Sequence, residues 1–206
     1  MEPLSLARVM LPLLLAVFAG VLLVWPVVRL RRQARVWAVT LHRNTTPGNR
    51  FMGLVFLAIV LGLTALVARF ALAGPQAIGV WQAPPALALA GLLLCAAGVL
   101  VIAIAQRQMG ESFRIGIDDA KTALVRTGLF ARVRNPIYSG LLALLLGVVL
   151  TIPCTTSLLL GAAAAAAIAS HTRLEERVLL ALHGDAYRAY AAGVGRFVPG
   201  VGRLRA

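Results

Sequence analysis

Hydrophobic positions along the chain fall into long unbroken runs, with neither the alternation of a strand nor the narrow stripe of a surface helix. Residues 6–28, 51–73 and 84–105 are each long enough to cross a bilayer, which takes about 20 apolar residues per helix. Residues 137–152 and 155–170 form two shorter apolar stretches joined at Pro153-Cys154, and they read as a tight helical hairpin, tilted or not fully crossing. Backbone groups inside lipid must be paired within their own segment, so runs of this kind are helices. They lack the polar faces that a soluble bundle requires. The pattern predicts an all-α, polytopic membrane protein of about five transmembrane helices. Residues 1–105 hold three N-terminal spans, and residues 106–206 form a second unit around the hairpin. The first run is too long for a leader and has no small-residue cleavage site after it. The run of alanines at 162–167 would allow close backbone approach to a neighbouring helix.

Charge then orients the runs. Of 20 Lys and Arg, all but Arg8 and Arg69 fall in 29–50, 106–135 and 171–206. With five crossings these three segments share one side, which the positive-inside rule makes cytoplasmic and which leaves the N-terminus outside. The net charge of +13 is met by an anionic leaflet and calls for no nucleic acid. Arg69 lies near enough to the end of its run to snorkel. Of seven acidic residues, Glu111, Asp118, Asp119, Glu175, Glu176 and Asp185 sit in the last two cytoplasmic segments and none lies mid-membrane. That argues against an ion or proton pathway. Cys95 and Cys154 are placed too far apart along the fold to suggest a disulfide, and His42, His171 and His183 are too scattered for a metal site.

Candidate chemistry gathers at the mouth of the hairpin. A basic run ends at Arg134-Asn135-Pro136-Ile137-Tyr138 and passes directly into the apolar stretch. Asn135-Pro136 stops any helix before it and starts one just beyond, with Pro136 in the first turn. Further on, Glu176, Leu180 and His183 share one helix face, while Glu175 points about 100° away. Gly184-Asp185 either continues that helix, bringing Tyr187 onto the same face, or ends it and starts another. From spacing alone, the two glutamates are also satisfied as solvated partners of Arg173 and Arg177. Segments 106–135 and 171–206 are each too short to fold alone and are expected to fold against each other and the hairpin.

The pattern TxLVxTGLFxxVRNPIYxG, followed by a hydrophobic hairpin and EE…HGxxYxxY…RFVP, resembles the isoprenylcysteine carboxyl methyltransferase family, itself related to the membrane phospholipid methyltransferases. The likeness covers about residues 109–199. It departs at Asn135, where the family often has His, and Asn keeps a donor and an acceptor but cannot take up a proton near neutral pH. The resemblance implies S-adenosylmethionine as methyl donor, held without a Rossmann unit and completed by a cytoplasmic C-terminal helix. It assigns Arg134, Asn135, Pro136, Tyr138, Glu175, Glu176 and His183 to cofactor binding. Glu176 is the acidic residue expected to matter most, holding the donor's ammonium or orienting the acceptor. Arg173, Arg196 and His171 are the candidates for holding an acceptor carboxylate. No metal is implied.

The implied acceptor is a lipophilic small molecule, a lipidated substrate or a membrane lipid, methylated on carboxylate or thiol. The alternative chemistry is N-methylation of an aminophospholipid. A non-catalytic membrane scaffold or transporter is the alternative of another class.

Overall fold

Proline and glycine punctuate the chain into helices. In the computed structural model, which describes residues 3–28, 47–110 and 124–204, four helices open on proline. These are α1 (Pro3–Ala19), α2 (Pro47–Ala73), α3 (Pro85–Met109) and α4 (Pro136–Thr151). Proline fits the first helical turn because its missing N–H has no intrahelical partner there. α5 (Thr155–His183) opens instead on a capping box between Cys154 and Ser157. Gly74, Gly110 and Gly184, all at positive φ, follow the ends of α2, α3 and α5. Gly184 therefore terminates α5, and α6 (Asp185–Gly193) starts afresh. The remainder of the basic loop (29–46, with His42) and the stretch bearing Glu111, Asp118 and Asp119 lie outside the described residues.

α1 continues through a π turn, Gly20–Val24, into an apolar span reaching Val28. This span, α2, α3 and α5 are long and apolar enough to cross a membrane. Side chains such as Leu54, Leu61, Leu93, Leu100 and Leu159 face outward at 60–65% exposure, as lipid-facing residues do. α4 has 16 residues, about 24 Å, and is shorter than the roughly 30 Å hydrocarbon layer. α5 has 29 residues, about 43 Å, and overhangs it. The second arm of the hairpin and the acidic segment after it are thus one continuous helix rather than two pieces.

The tightest packing is between α3 and α4. A Cβ on Gly98 would sit 2.6 Å from the Gly140 carbonyl, and one on Gly140 2.7 Å from the Gly98 carbonyl. Two turns away Gly91 and Gly147 repeat the relationship, each 2.6 Å from the other's carbonyl. The reciprocal order makes the helices antiparallel, in backbone contact along two turns. Close approach therefore lies here and not chiefly at the alanine run, although Ala164 and Ala167 are buried against Ile59 of α2 and Leu145 of α4. The expected division between 105 and 106 falls inside α3, which the glycine contacts join to the hairpin.

The two isolated arginines are both used at one end of the bundle. Arg8 donates to the carbonyls of Ala71 (2.8 and 3.0 Å) and Leu72, at the end of α2. Arg69 donates to Ala77 O at 3.1 Å in the turn that follows. The Trp81 amide donates to Pro153 O at 2.7 Å, so the α2–α3 connection and the α4–α5 turn share this end. The start of α4, the end of α3 and the C-terminal segment occupy the other.

Candidate active site

Asn135 leaves helical geometry (φ −125°, ψ 60°) immediately before Pro136 opens α4. Residues 133–135 are thereby free to run beside 195–197. Val133 and Gly195 form a parallel bridge, Arg134 N donates to Gly195 O at 2.8 Å, and Asn135 N donates to Arg196 O at 3.1 Å. Ser139, one turn into α4, donates its Oγ proton to Phe197 O at 2.7 Å. A Cβ at Gly195 would run into the Val198 carbonyl, so this crossing requires glycine. The two motif segments lie about 60 residues apart in sequence and touch through backbone.

Glu176, 4% exposed, lies beneath that crossing. Its Oε1 accepts from Arg134 Nε (3.1 Å) and Nη2 (2.9 Å) and from Arg196 Nε (3.1 Å). Its Oε2 accepts from Arg196 Nη2 at 2.8 Å. Asn135 Nδ2 makes a longer contact with Oε1, 3.5 Å, and another with Arg196 O, 3.4 Å. Arg134 spends its remaining N–H groups on the carbonyls of Ala191, Val194 and Gly202. All five of its donors are therefore engaged inside the protein. Arg196 differs. Its Nη1 makes none of these bonds, and its side chain is 27% exposed. Two guanidiniums around one carboxylate leave an excess positive charge whose outward edge is Arg196.

Glu175 faces elsewhere, as the helical spacing predicts. Its Oε2 accepts the Tyr138 hydroxyl proton at 3.0 Å, bridging α4 and α5. One turn along α5, the His171 ring meets the edges of Tyr138 and Phe56, with centroids 6.2 and 5.5 Å apart. His171 Nδ1 is buried without a partner. On α6, Tyr190 donates to Phe130 O at 2.6 Å and anchors that helix to the 3-10 turn Gly128–Ala131. Burial pushes the Tyr190 phenol up to about 12. The neighbouring Tyr187 is raised too, first by burial and then by the Glu176 charge, and its hydroxyl is buried and unpartnered.

The expected site residues are thus sorted. Arg134, Asn135, Pro136 and Glu176 form one buried cluster with the half-buried Arg196 at its edge and the Tyr138–Glu175 pair beside it. Arg173 and Arg177 are exposed, and the partners of Glu176 are Arg134 and Arg196 instead. His183 is half-buried at the end of α5 and makes no side-chain bond to the cluster. Tyr187 reaches the cluster from α6, although the helix break at Gly184 takes it off the α5 face. Sequence reasoning missed Gln106, in the last turn of α3. It is 2% exposed, and neither its Nε2 nor its Oε1 has a partner. The only signal was an amide at the end of an apolar run. Among the described residues no three His, Cys, Asp or Glu side chains gather as metal ligands.

The family described as phospholipid methyltransferase matches residues 86–186, from the start of α3 into α6. The fold is similar to a solved eukaryotic intramembrane Ras methyltransferase, isoprenylcysteine carboxyl methyltransferase, with a TM-score of 0.52 and 21% identity. That match covers 79% of this chain, and the chain spans only 56% of that protein's. No curated protein matches it. The family match covers just under half of the chain, and the structural likeness shows that the two proteins share a helical membrane fold. The family match begins at α3, earlier than the motifs alone suggested, which agrees with the glycine contacts that bind α3 to α4.

Proposed function

We propose that the protein is an S-adenosylmethionine-dependent methyltransferase that methylates a carboxylate or thiol on a lipophilic acceptor. The observation that carries this is the joining of both motif segments around Glu176, at one end of an apolar bundle, beside buried polar atoms that lack partners. Unpaired buried polar groups are costly, and a polar ligand is one way to satisfy them.

The residues present fit such a donor. Its α-carboxylate suits the outward edge of Arg196, and the Tyr187 hydroxyl offers a further polar contact in the same charged surroundings. Asn135 and Tyr138 stand beside it at the start of α4. Arg134 and Glu176 are positioning residues in this reading, because they bond each other, Glu176 also holds Arg196, and the remaining donors of Arg134 go to the backbone of the C-terminal segment. When bound, the donor's sulfonium supplies an already activated methyl group. The protein's part is then to align the acceptor with that methyl and to exclude water, without a base for a carboxylate that is ionised near neutral pH. Apolar side chains of α2 and α4 beside Tyr138 suit a lipid tail, and the distribution of Lys and Arg favours a cytoplasmic position for this end by the positive-inside rule.

Aminophospholipid N-methylation is the second reading, favoured by the description of the matching family. There the excess positive charge would help keep the amine deprotonated.

Calorimetric titration of the detergent-solubilised protein with S-adenosylhomocysteine tests the cofactor. Binding is expected before and after chelator treatment. No binding to folded protein removes the reading, and loss after chelation removes its metal-free form.

A further inference from the structure

Gln106 is a poor residue to bury alone. Its carboxamide carries donors and an acceptor, it is 2% exposed, and both polar atoms lack partners. Leucine of similar size would avoid that penalty. Its place is defined by its neighbours. Ile102, one turn earlier on the same face of α3, packs against Gly140 of α4. Gln106 is therefore level with the first turn of α4, where Asn135 and Pro136 enter the cluster. Two residues on, Gln108 is committed, its Oε1 accepting from Leu129 N at 2.8 Å. The open amide at this end of α3 is that of Gln106.

The charged groups of the site, Arg134, Glu176 and Arg196, come from the loop before α4, from α5 and from the C-terminal segment, and none bonds Gln106. A charged ligand end belongs with them. A neutral carboxamide matches a neutral edge that presents a donor beside an acceptor. Adenine has such an edge on either side of its exocyclic amine, and glutamine pairs with it through two hydrogen bonds. Resting on the methyltransferase reading above, we propose that Gln106 binds the adenine of the methyl donor through that amine and an adjacent ring nitrogen.

The test compares two ligands on the full-length solubilised protein by calorimetry: S-adenosylhomocysteine, and its analogue with hydrogen replacing the adenine amine. Both candidate edges include this amine, so the pair reports on either. The wild type should bind the analogue about tenfold more weakly. Gln106→Leu should weaken S-adenosylhomocysteine about 10- to 100-fold, the loss expected when a buried donor or acceptor is left unpaired. It should also bind the two ligands equally. Unliganded Q106L should melt at or above the wild type, since it sheds an unpaired buried amide, whereas a purely structural Gln106 would make it melt lower. Gln106→Met serves the same comparison if the leucine variant does not fold. Unchanged S-adenosylhomocysteine affinity in the variant, or a wild-type preference that survives it, overturns the proposal. Failure of the wild type to bind S-adenosylhomocysteine at all overturns instead the reading on which it rests.

Discussion

Glu176 and Glu175 are adjacent in sequence, yet they answer to different partners. Glu176 neutralises part of the buried Arg134 guanidinium and of the half-buried one of Arg196, and removing one partner of a buried ion pair costs about 3–5 kcal/mol. Glu176→Gln should therefore lower unfolding stability by that order, far beyond the 1 kcal/mol or less of an exposed pair. Glu175→Gln keeps an acceptor for the Tyr138 hydroxyl and should cost about 1 kcal/mol or less. Chemical unfolding of both variants in detergent measures the difference, and equal small losses would contradict the cluster as described. Arg196→Lys should fold, because Arg134 still holds Glu176, but should bind S-adenosylhomocysteine roughly tenfold more weakly for want of the guanidinium fork. The divergence of the two glutamates was legible from the 100° step between successive helix positions. The partners of Glu176 were not, since they lie 42 and 20 residues away and spacing can propose only neighbours such as Arg173.

Glycines set how closely α3 and α4 approach. Gly98→Ala would press a methyl group into the Gly140 carbonyl, a backbone atom that cannot step aside, and overpacking of this kind typically costs about 1–3 kcal/mol. Gly53→Ala on α2 meets nothing within 4 Å and should be neutral or slightly stabilising. Thermal unfolding of the pair checks this, and similar melting points would contradict the backbone contact. The seven-residue spacing of Gly91 and Gly98, and of Gly140 and Gly147, was present in the sequence, but spacing marks a face without naming what it packs against. α6 is held differently, through Tyr190. Its phenol has a raised pKa in the folded state, so its contribution is complete below about 10 and is lost as pH rises through about 12. Tyr190→Phe should lose the hydrogen bond to Phe130, about 1 kcal/mol, and with it that part of the alkaline loss of stability. Unfolding measured across this pH range reports both effects.

At the scale of the whole molecule, the spans were read from the length of the apolar runs, because lipid leaves a helix few alternatives. The boundary after residue 170 was not, since composition changes there while the helix does not. α5 carries its apolar half past α2 and α4 and delivers Glu175 and Glu176 to the motif loop on the same rod. Reporter fusions after Gly74 and at the C-terminus should report opposite sides of the membrane, and two cytoplasmic reports would contradict the arrangement. The site was legible as two motifs in order. That the two segments fold against each other was expected from their shortness, but the manner of their joining was not legible, because it depends on backbone pairing between 133–135 and 195–197 and on carbonyls of Ala191, Val194 and Gly202 that no side-chain pattern reveals. The central claim is that this joined site transfers a methyl group to a lipophilic acceptor. Its most direct test incubates the purified protein with methyl-labelled S-adenosylmethionine and a membrane lipid extract, then follows label into the organic phase and identifies the product. The account predicts a labelled methyl ester or thioether, diminished in Arg196→Lys. Absence of labelled product from folded, cofactor-binding protein across lipid extracts containing carboxylate, thiol and amine acceptors would contradict it.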